Sequence, residues 1–390
     1  QRLSVANPQV YEPDLARAQN NLGNLYRDTQ RYEDSEEMYL SVLTVYQRLT
    51  IANPQVYEPD LARAQNNLGN LYRDTQRYKE SEEMYLSAVE IYQRLSVANP
   101  QVYEPDLAMV QNNLGLLYSD IQRYEDSEKM HLSAVEIYRR LAAANPQVYE
   151  PDLAETQNDL GILYSDTRRY EESEEMYLSA MEIRRRLAVA NPQVYEPGLA
   201  RTQYNLGCLY SDTRRYEESE KMYLSAMEIR RRLAVANPQV YEPDLADTQY
   251  NLGCLYYNIQ RYEESGEMYL SALKVYQRLT VADPQVYEPY LVRACNNLSF
   301  LFLAQGNFEE AERYAREGAK YDSTHHTIYT NLAASLLFQG RYAEAEEIYL
   351  RYKEELKEDF LSDFEDFYQR GIIPPEREDD VERIKKLLSK

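Results

Sequence analysis

Apolar positions in this chain recur at steps of three and four, stop, and begin again. In the first full cycle Leu15, Leu22, Leu25 and Tyr26, with the small Ala18, define one apolar side. That spacing predicts a helix, here called helix A, running to about Thr29. Gln30 and Arg31 read as a turn. Met38, Tyr39, Val42, Leu43, Val45, Tyr46 and Leu49 then predict a second helix, B, from about Tyr32 to Ala52. Glu33, Asp34, Glu36 and Glu37 crowd its first turns, and Gln47 and Arg48 lie near its end. A later cycle sharpens this, with Glu171, Glu172, Glu174 and Glu175 followed by Arg184, Arg185 and Arg186. Acid first and base last complements the helix dipole, and the abundant glutamates read as a solvated face. Asn53 stops helix B.

Between cycles stands Asn-Pro-Gln-Val-Tyr-Glu-Pro-Asp, first at Asn7 to Asp14 and returning every 46 residues. Its two prolines account for fourteen of the sixteen in the chain. Proline lacks a backbone donor and disfavours the helical region for the residue before it. The motif therefore predicts a linker, with the second proline, Pro13, at the first helical position and Asp14 in the first turn. Val56 and Tyr57 of the next copy are expected to fold back as a lid on the helix pair. A fixed period of this length outweighs the two or three globular domains that 390 residues would suggest, and implies a solenoid.

The pattern changes after Leu298. The next equivalent leucine, Leu332, follows only 34 residues on, and the proline motif is gone. Phe308 to Ala311 and Tyr342 to Ala345 open shorter B helices. Phe360, Phe364 and Phe367 share a helix face, Gly371 ends that helix, and Pro374 and Pro375 break the chain. Val381, Ile384, Leu387 and Leu388 mark a last amphipathic helix, and the whole reads as a cap over the final apolar face. The expected segments are 1–13, the end of a truncated preceding repeat with its linker; 14–289, six long repeats; 290–358, two shorter ones; and 359–390, the cap.

The net charge of -22 argues against nucleic acid and anionic membrane as bulk partners, since both call for a basic surface. Cys208, Cys254 and Cys295 fit no disulfide framework, and no apolar run is long enough to span a bilayer, so a cytoplasmic setting is expected. His131 stands where other copies carry a tyrosine and reads as a core or boundary variant. His325 and His326 sit side by side with no metal-ligand spacing. The glycines lie inside helices rather than in a phosphate-cradling loop. No catalytic constellation, metal or cofactor is expected.

Leu22, Gly23 and Tyr26, then Ser35, Tyr39 and (in the next copy) Ala88, have the spacing of the tetratricopeptide repeat, and the leucine returns at 68, 114, 160, 206, 252 and 298. Over about residues 1 to 358 the chain resembles that family, with long repeats similar to those of kinesin light chains. The resemblance implies an all-α, right-handed superhelical solenoid of antiparallel helix pairs, with Gly23 admitting helix B close to helix A and Ser35 in place of the usual alanine. It also implies that helix A lines a concave, non-enzymatic binding surface for a protein or peptide.

On the first helix A, Arg17, Asn20, Asn24 and Arg27 lie at steps of three and four and share one face, repeated as Arg63, Asn66, Asn70 and Arg73. Arginine suits carboxylates. Asn21, Asn67 and Asn113, at the position where relatives of the family hold a peptide backbone, flank that face beside Asn20, Asn66 and Asn112; the same asparagines could instead brace neighbouring helices. Later copies turn aromatic, with Tyr204, Tyr250, Tyr257 and Phe300. The expected partner is an extended peptide with acidic residues toward one end and apolar ones toward the other. Two alternatives are a sensor arm of a larger protein and self-association through an uncapped N-terminal repeat.

Overall fold

The computed structural model describes residues 8–321 and 327–389; His325 and His326 lie outside them. Among the described residues are eighteen α-helices, one short 3-10 turn and no strand. Long helices come first: α1 (Pro8–Asp28), α2 (Tyr32–Ala52), α3 (Pro54–Asp74), α4 (Tyr78–Ala98), α5 (Pro100–Asp120), α6 (Tyr124–Ala144), α7 (Pro146–Asp166), α8 (Tyr170–Ala190) and α9 (Pro192–Asp212). They continue with α10 (Tyr216–Ala236), α11 (Pro238–Asn258), α12 (Tyr262–Ala282) and α13 (Pro284–Ala304). The shorter set is α14 (Phe308–Gly318), α15 (Ile328–Phe338), α16 (Tyr342–Arg351), α17 (Lys353–Gln369) and α18 (Glu378–Leu388). The chain divides into two compact units, residues 1–202 and 203–390.

The proline motif is helix rather than linker. Helix α3 opens at the first proline, Pro54, not at Pro59, and Asn53 alone separates it from α2. Extended at Asn53, the backbone does both jobs: its N–H donates to the Leu49 carbonyl at 2.9 Å, and its own carbonyl accepts from Tyr57 N at 3.2 Å. Pro54 sits where a helix needs no donor. Pro59 removes one ladder bond near the start, leaving the carbonyl of the exposed Gln55 open to water. Of the expected lid, Val56 is 53% exposed on the first turn, whereas Tyr57 is half-buried against a cluster that holds Val42, Tyr46 and Leu49 of α2 together with Leu61 and Ala64. Glu58 of the motif binds Arg94 through both carboxylate oxygens, at 2.8 and 3.0 Å, which ties the start of α3 to the end of α4.

A glycine under an aromatic ring, with a serine bonded to the glycine carbonyl, recurs at the first six A–B crossings. A Cβ on Gly69 would lie 2.8 Å from ring carbons of Tyr85, so only glycine admits that ring. Ser81 Oγ donates to the Gly69 carbonyl at 2.8 Å, and Tyr85 Oη donates to Asn70 Oδ1 at 2.6 Å. His131 fills the ring position in the third crossing, over Gly115, with Nδ1 2.8 Å from Asn112 Oδ1. It is buried, a core rather than a boundary variant.

The A-to-B turn uses a left-handed residue. Gln30, Gln76, Gln122, Arg168, Arg214 and Gln260 have φ between 58 and 61°, whereas the shorter repeats place Gly306 and Gly340 there. A side chain in this region costs roughly 1–2 kcal/mol. The next residue then donates back into the helix, as Arg77 N does to Tyr72 O at 2.7 Å, and lays its guanidinium 4.0 Å from the Tyr72 ring centroid. Glu36, on the preceding B helix, accepts from both Tyr72 Oη (3.1 Å) and Arg77 Nη1 (2.7 Å). These glutamates therefore clamp successive repeats, where the sequence suggested only a solvated face.

Within the first unit Leu71 is buried, but its counterpart Leu25 on α1 is 56% exposed, against the expectation of an apolar core position. In the second unit the cap forms as expected. Phe360, Phe364 and Phe367 of α17 are buried with Leu336 and Leu337 of α15, Gly371 turns the chain at φ +66°, and Val381, Ile384 and Leu388 of α18 close the core.

Candidate binding face on the first helix of each pair

The four predicted arginines lie in the first unit, each beside an aspartate. Arg73 Nε donates to Asp120 Oδ2 at 2.6 Å, and Arg27 Nε is 3.3 Å from Asp74 Oδ2, so each reaches the next A helix. Arg63 Nη1 donates to Asp60 Oδ1 at 3.2 Å. Arg17, with its side chain 63% exposed, is held most loosely, 3.9 Å from Asp14 and from Asp60. Asp74 and Asp120 stand one repeat and one position after their arginines, and Asp14 and Asp60 three positions before Arg17 and Arg63. Arg17, Asn20, Asn21 and Arg63 do come together, lining a depression of about 220 Å³ with Tyr46, Asp60 and Ala64.

The asparagines form a ladder between helices. Asn67 Nδ2 donates to Asn20 Oδ1 at 3.0 Å, Asn113 Nδ2 to Asn66 Oδ1 at 2.9 Å, and Asn112 Nδ2 to Asp159 Oδ2 at 3.0 Å. The same step continues in the second unit, where Asn297 Nδ2 donates to Tyr250 Oη at 2.8 Å and Asn331 Nδ2 to Asn296 Oδ1 at 2.9 Å. Asn24 and Asn70 accept from Tyr39 and Tyr85. These amides thus hydrogen-bond to neighbouring helices. Asn21 is exposed at the rim of the depression.

Two residues that sequence reasoning missed lie deeper. Arg184 and Arg230 occupy positions where Tyr46, Tyr92, Tyr138 and Tyr276 fill other repeats. The sequence read Arg184 as a last-turn cation, yet it is only 4% exposed. Arg184 Nη2 donates to Glu155 at 2.6 Å and Nη1 to the Gly198 carbonyl at 2.9 Å, with Thr202 Oγ1 also in contact; Arg201 closes on the same Glu155 oxygen. Burial lowers the Arg184 pKa to about 10, opposed by Glu155. Nearby Asp159 is raised to about 6, by burial and then by Glu155. The signal was available: a core tyrosine exchanged for arginine in the cycle where position 155 turns acidic.

Tyr204 and Tyr250, predicted at the aromatic end, line a cavity of about 100 Å³ in the second unit with Asp247, Asn251, Tyr276, Tyr290 and Arg293. Tyr257 and Phe300 do not line it. Arg370, just past the end of α17, donates to Tyr257 Oη at 2.8 Å, and the Phe300 and Phe367 ring centroids are 5.9 Å apart. Helix α17 and the residue just after it meet this pair, which the sequence had reserved for a partner. Its apolar residues needed an apolar surface, and sequence alone could not say which. Cys208 and Cys254 are free thiols whose pKa burial raises, away from the reactive range. Among the described residues no His, Cys, Asp and Glu cluster could hold a metal, and no helix is long and apolar enough to cross a membrane.

Successive helix pairs, one recurring glycine–tyrosine crossing and a helical cap define a helical-repeat solenoid protein. Family models described as tetratricopeptide repeat match residues 14–94, 60–140, 106–186 and 152–232, with further models at 245–284 and 302–361. The chain belongs to the tetratricopeptide repeat family. Among solved structures, BtubC (BKLC) from P. vanneervenii is similar with a TM-score of 0.53 and 22% identity, over 64% of this chain and 92% of that one. A Signal Transduction ATPase with Numerous Domains from Pyrococcus horikoshii, described as having a tetratricopeptide repeat sensor, gives a TM-score of 0.62 at 18% identity over 89% of this chain; the match spans 49% of that protein. RapI in its apo form gives 0.53 at 13% identity, over 78% and 97% of the two chains. At these identities the likeness establishes the fold. No curated protein sequence matches the chain.

Proposed function

We propose that the protein is a non-enzymatic interaction scaffold whose first unit binds an extended, acidic segment of a partner along α1, α3 and α5. Family membership supports the scaffold. The observation that carries the binding face is the depression at Arg17, Asn20, Asn21 and Arg63, where Arg17 is exposed and only loosely paired. Exposed ion pairs are worth little, so these arginines can exchange aspartates for a partner's carboxylates at small cost. Arg27 and Arg73 extend the face, and Asn66, Asn67, Asn112 and Asn113 flank it. The three free thiols fit the cytoplasm. The test is an array of extended peptides, acidic and amide-neutralised. Acidic peptides should bind, with salt dependence, and the Arg17→Ala, Arg63→Ala double variant should weaken them about tenfold. Equal retention of both peptide sets, or no loss in the variant, overturns the reading.

A second reading, a sensor arm of a larger protein, takes its support from the Pyrococcus horikoshii structure, in which repeats described as a sensor share the chain with other domains. The full-length reading frame tests it: no further domain would end it.

A further inference from the structure

In the second unit an acid and an arginine spaced like an ion pair of the first unit do not meet, and both line one cavity. Glu155 and Arg201 stand one repeat apart on successive A helices and close directly on each other. Their counterparts two repeats later are Asp247 and Arg293. Both line the same cavity, yet they form no ion pair with each other. The acid is one methylene shorter, and Tyr276 replaces the arginine that, as Arg184, fills the space beside Glu155.

What remains is a built pocket with two separated charges. At the floor Asp247, half-buried, accepts from Tyr276 Oη at 2.6 Å, its one hydrogen bond among the described residues. Arg230 lies near but gives its hydrogen bonds to the Asp244 carbonyl and Thr248 Oγ1, at 2.9 and 2.6 Å. At the rim the Arg293 guanidinium is exposed, 4.9 Å from the Tyr250 ring centroid. Other groove-face arginines have carboxylate partners (Arg17, Arg27, Arg63, Arg73 and Arg201), whereas Arg293 has none among the described residues. Tyr204, Tyr250, Tyr276 and Tyr290 wall the space between, and Asn251 completes it. The cavity holds about 100 Å³, against roughly 10–15 Å³ needed to admit one water.

We infer that this pocket binds a small zwitterion of the α-amino-acid class, its ammonium toward Asp247 among the tyrosine rings and its carboxylate toward Arg293. An ammonium is attracted to a carboxylate and to aromatic faces together. Guanidinium recognises carboxylate with two parallel hydrogen bonds. The ligand restores, through its own two charges, the contact that Glu155 and Arg201 make directly. Tyr204 and Tyr250 lie on α9 and α11, outside the helices of the proposed partner site, and this ligand needs neither a peptide nor the arginines of the first unit.

The test is calorimetric titration of the full chain with glycine, L-alanine and L-leucine, and with acetate and methylammonium as half-ligands. At least one amino acid should bind about tenfold or more tightly than either half-ligand. Asp247→Asn and Arg293→Gln should each weaken it about tenfold. Asp247→Glu should close the pair, as in Glu155–Arg201, and abolish binding while leaving the melting temperature unchanged or raised. Should Asp247→Asn fail to fold, the exposed Arg293→Gln carries the same test. No binding at about 10 mM of any amino acid, acetate binding as tightly as the amino acids, or binding indifferent to Arg293→Gln overturns the proposal. Loss of acidic-peptide binding in the Arg17, Arg63 variant would leave these titrations unchanged, so the two readings fail separately.

Discussion

Arg184 Nη2 donates to Glu155 Oε2 at 2.6 Å from a position where Tyr92 and Tyr138 are buried in earlier repeats. Breaking one side of a buried charge pair costs more than replacing the pair. Glu155→Ala should therefore destabilise the first unit by about 2–3 kcal/mol, less than a fully buried pair because Arg184 keeps the Gly198 carbonyl. Arg184→Tyr, which restores the commoner residue, should lie within about 1 kcal/mol of wild type. Denaturant melts of both variants measure this; a larger loss in Arg184→Tyr contradicts it.

Asp159 interrupts the asparagine ladder. Burial raises its pKa to about 6 from an ordinary 3.8. The folded state thus holds this proton more tightly than the unfolded one, and stability from this group falls as pH rises between about 4 and 6. Above that window the buried carboxylate is a standing cost on the order of 1–3 kcal/mol. Asp159→Asn should be more stable at pH 7 and should flatten the loss from pH 4 to 6, read from melting temperature against pH.

His131 titrates with the opposite sign. Burial lowers its pKa to about 4 from 6.5, so the unfolded state binds the proton first. Stability is lost as pH falls from about 6.5 to 4. His131→Tyr restores the ring found in the other crossings and should remove that acid sensitivity. Melting curves at pH 7 and pH 4.5 check it, and an unchanged difference between them contradicts it.

Two backbone positions give opposite expectations for glycine. Gly69→Ala places a methyl 2.8 Å from the Tyr85 ring and should cost about 1–3 kcal/mol through overpacking. Gln76→Gly relieves a left-handed side chain at φ 59° and should gain about 1 kcal/mol. Thermal unfolding of the pair distinguishes these signs.

Much of the fold was legible because its determinants are local and repeat. Leu22, Gly23, Tyr26 and Tyr39 announce a helix pair by spacing alone, and Phe360, Phe364 and Phe367 announce a cap. The prolines misled on helix starts, since Pro54 suits a first helical turn and Pro59 is tolerated five residues later. On the binding face, periodicity placed Arg17, Asn20 and Arg63 together but could not show that Asp60 stands among them. Nor did it show that Phe367 and Arg370 return to Phe300 and Tyr257, the latter contact spanning 113 positions in sequence.

By itself, then, the sequence determined the helices, their pairing and the repeat, because apolar spacing, glycine at a crossing and an asparagine stop act within one repeat length. The tertiary structure alone decided which charges are spent within the chain and which stand open. Glu155 closes on Arg201 while Asp247 stays apart from Arg293, although the two pairs are spaced identically in sequence. The difference lies in one methylene and in whether arginine or tyrosine fills the adjoining core, and its effect exists only once three helices have packed around it.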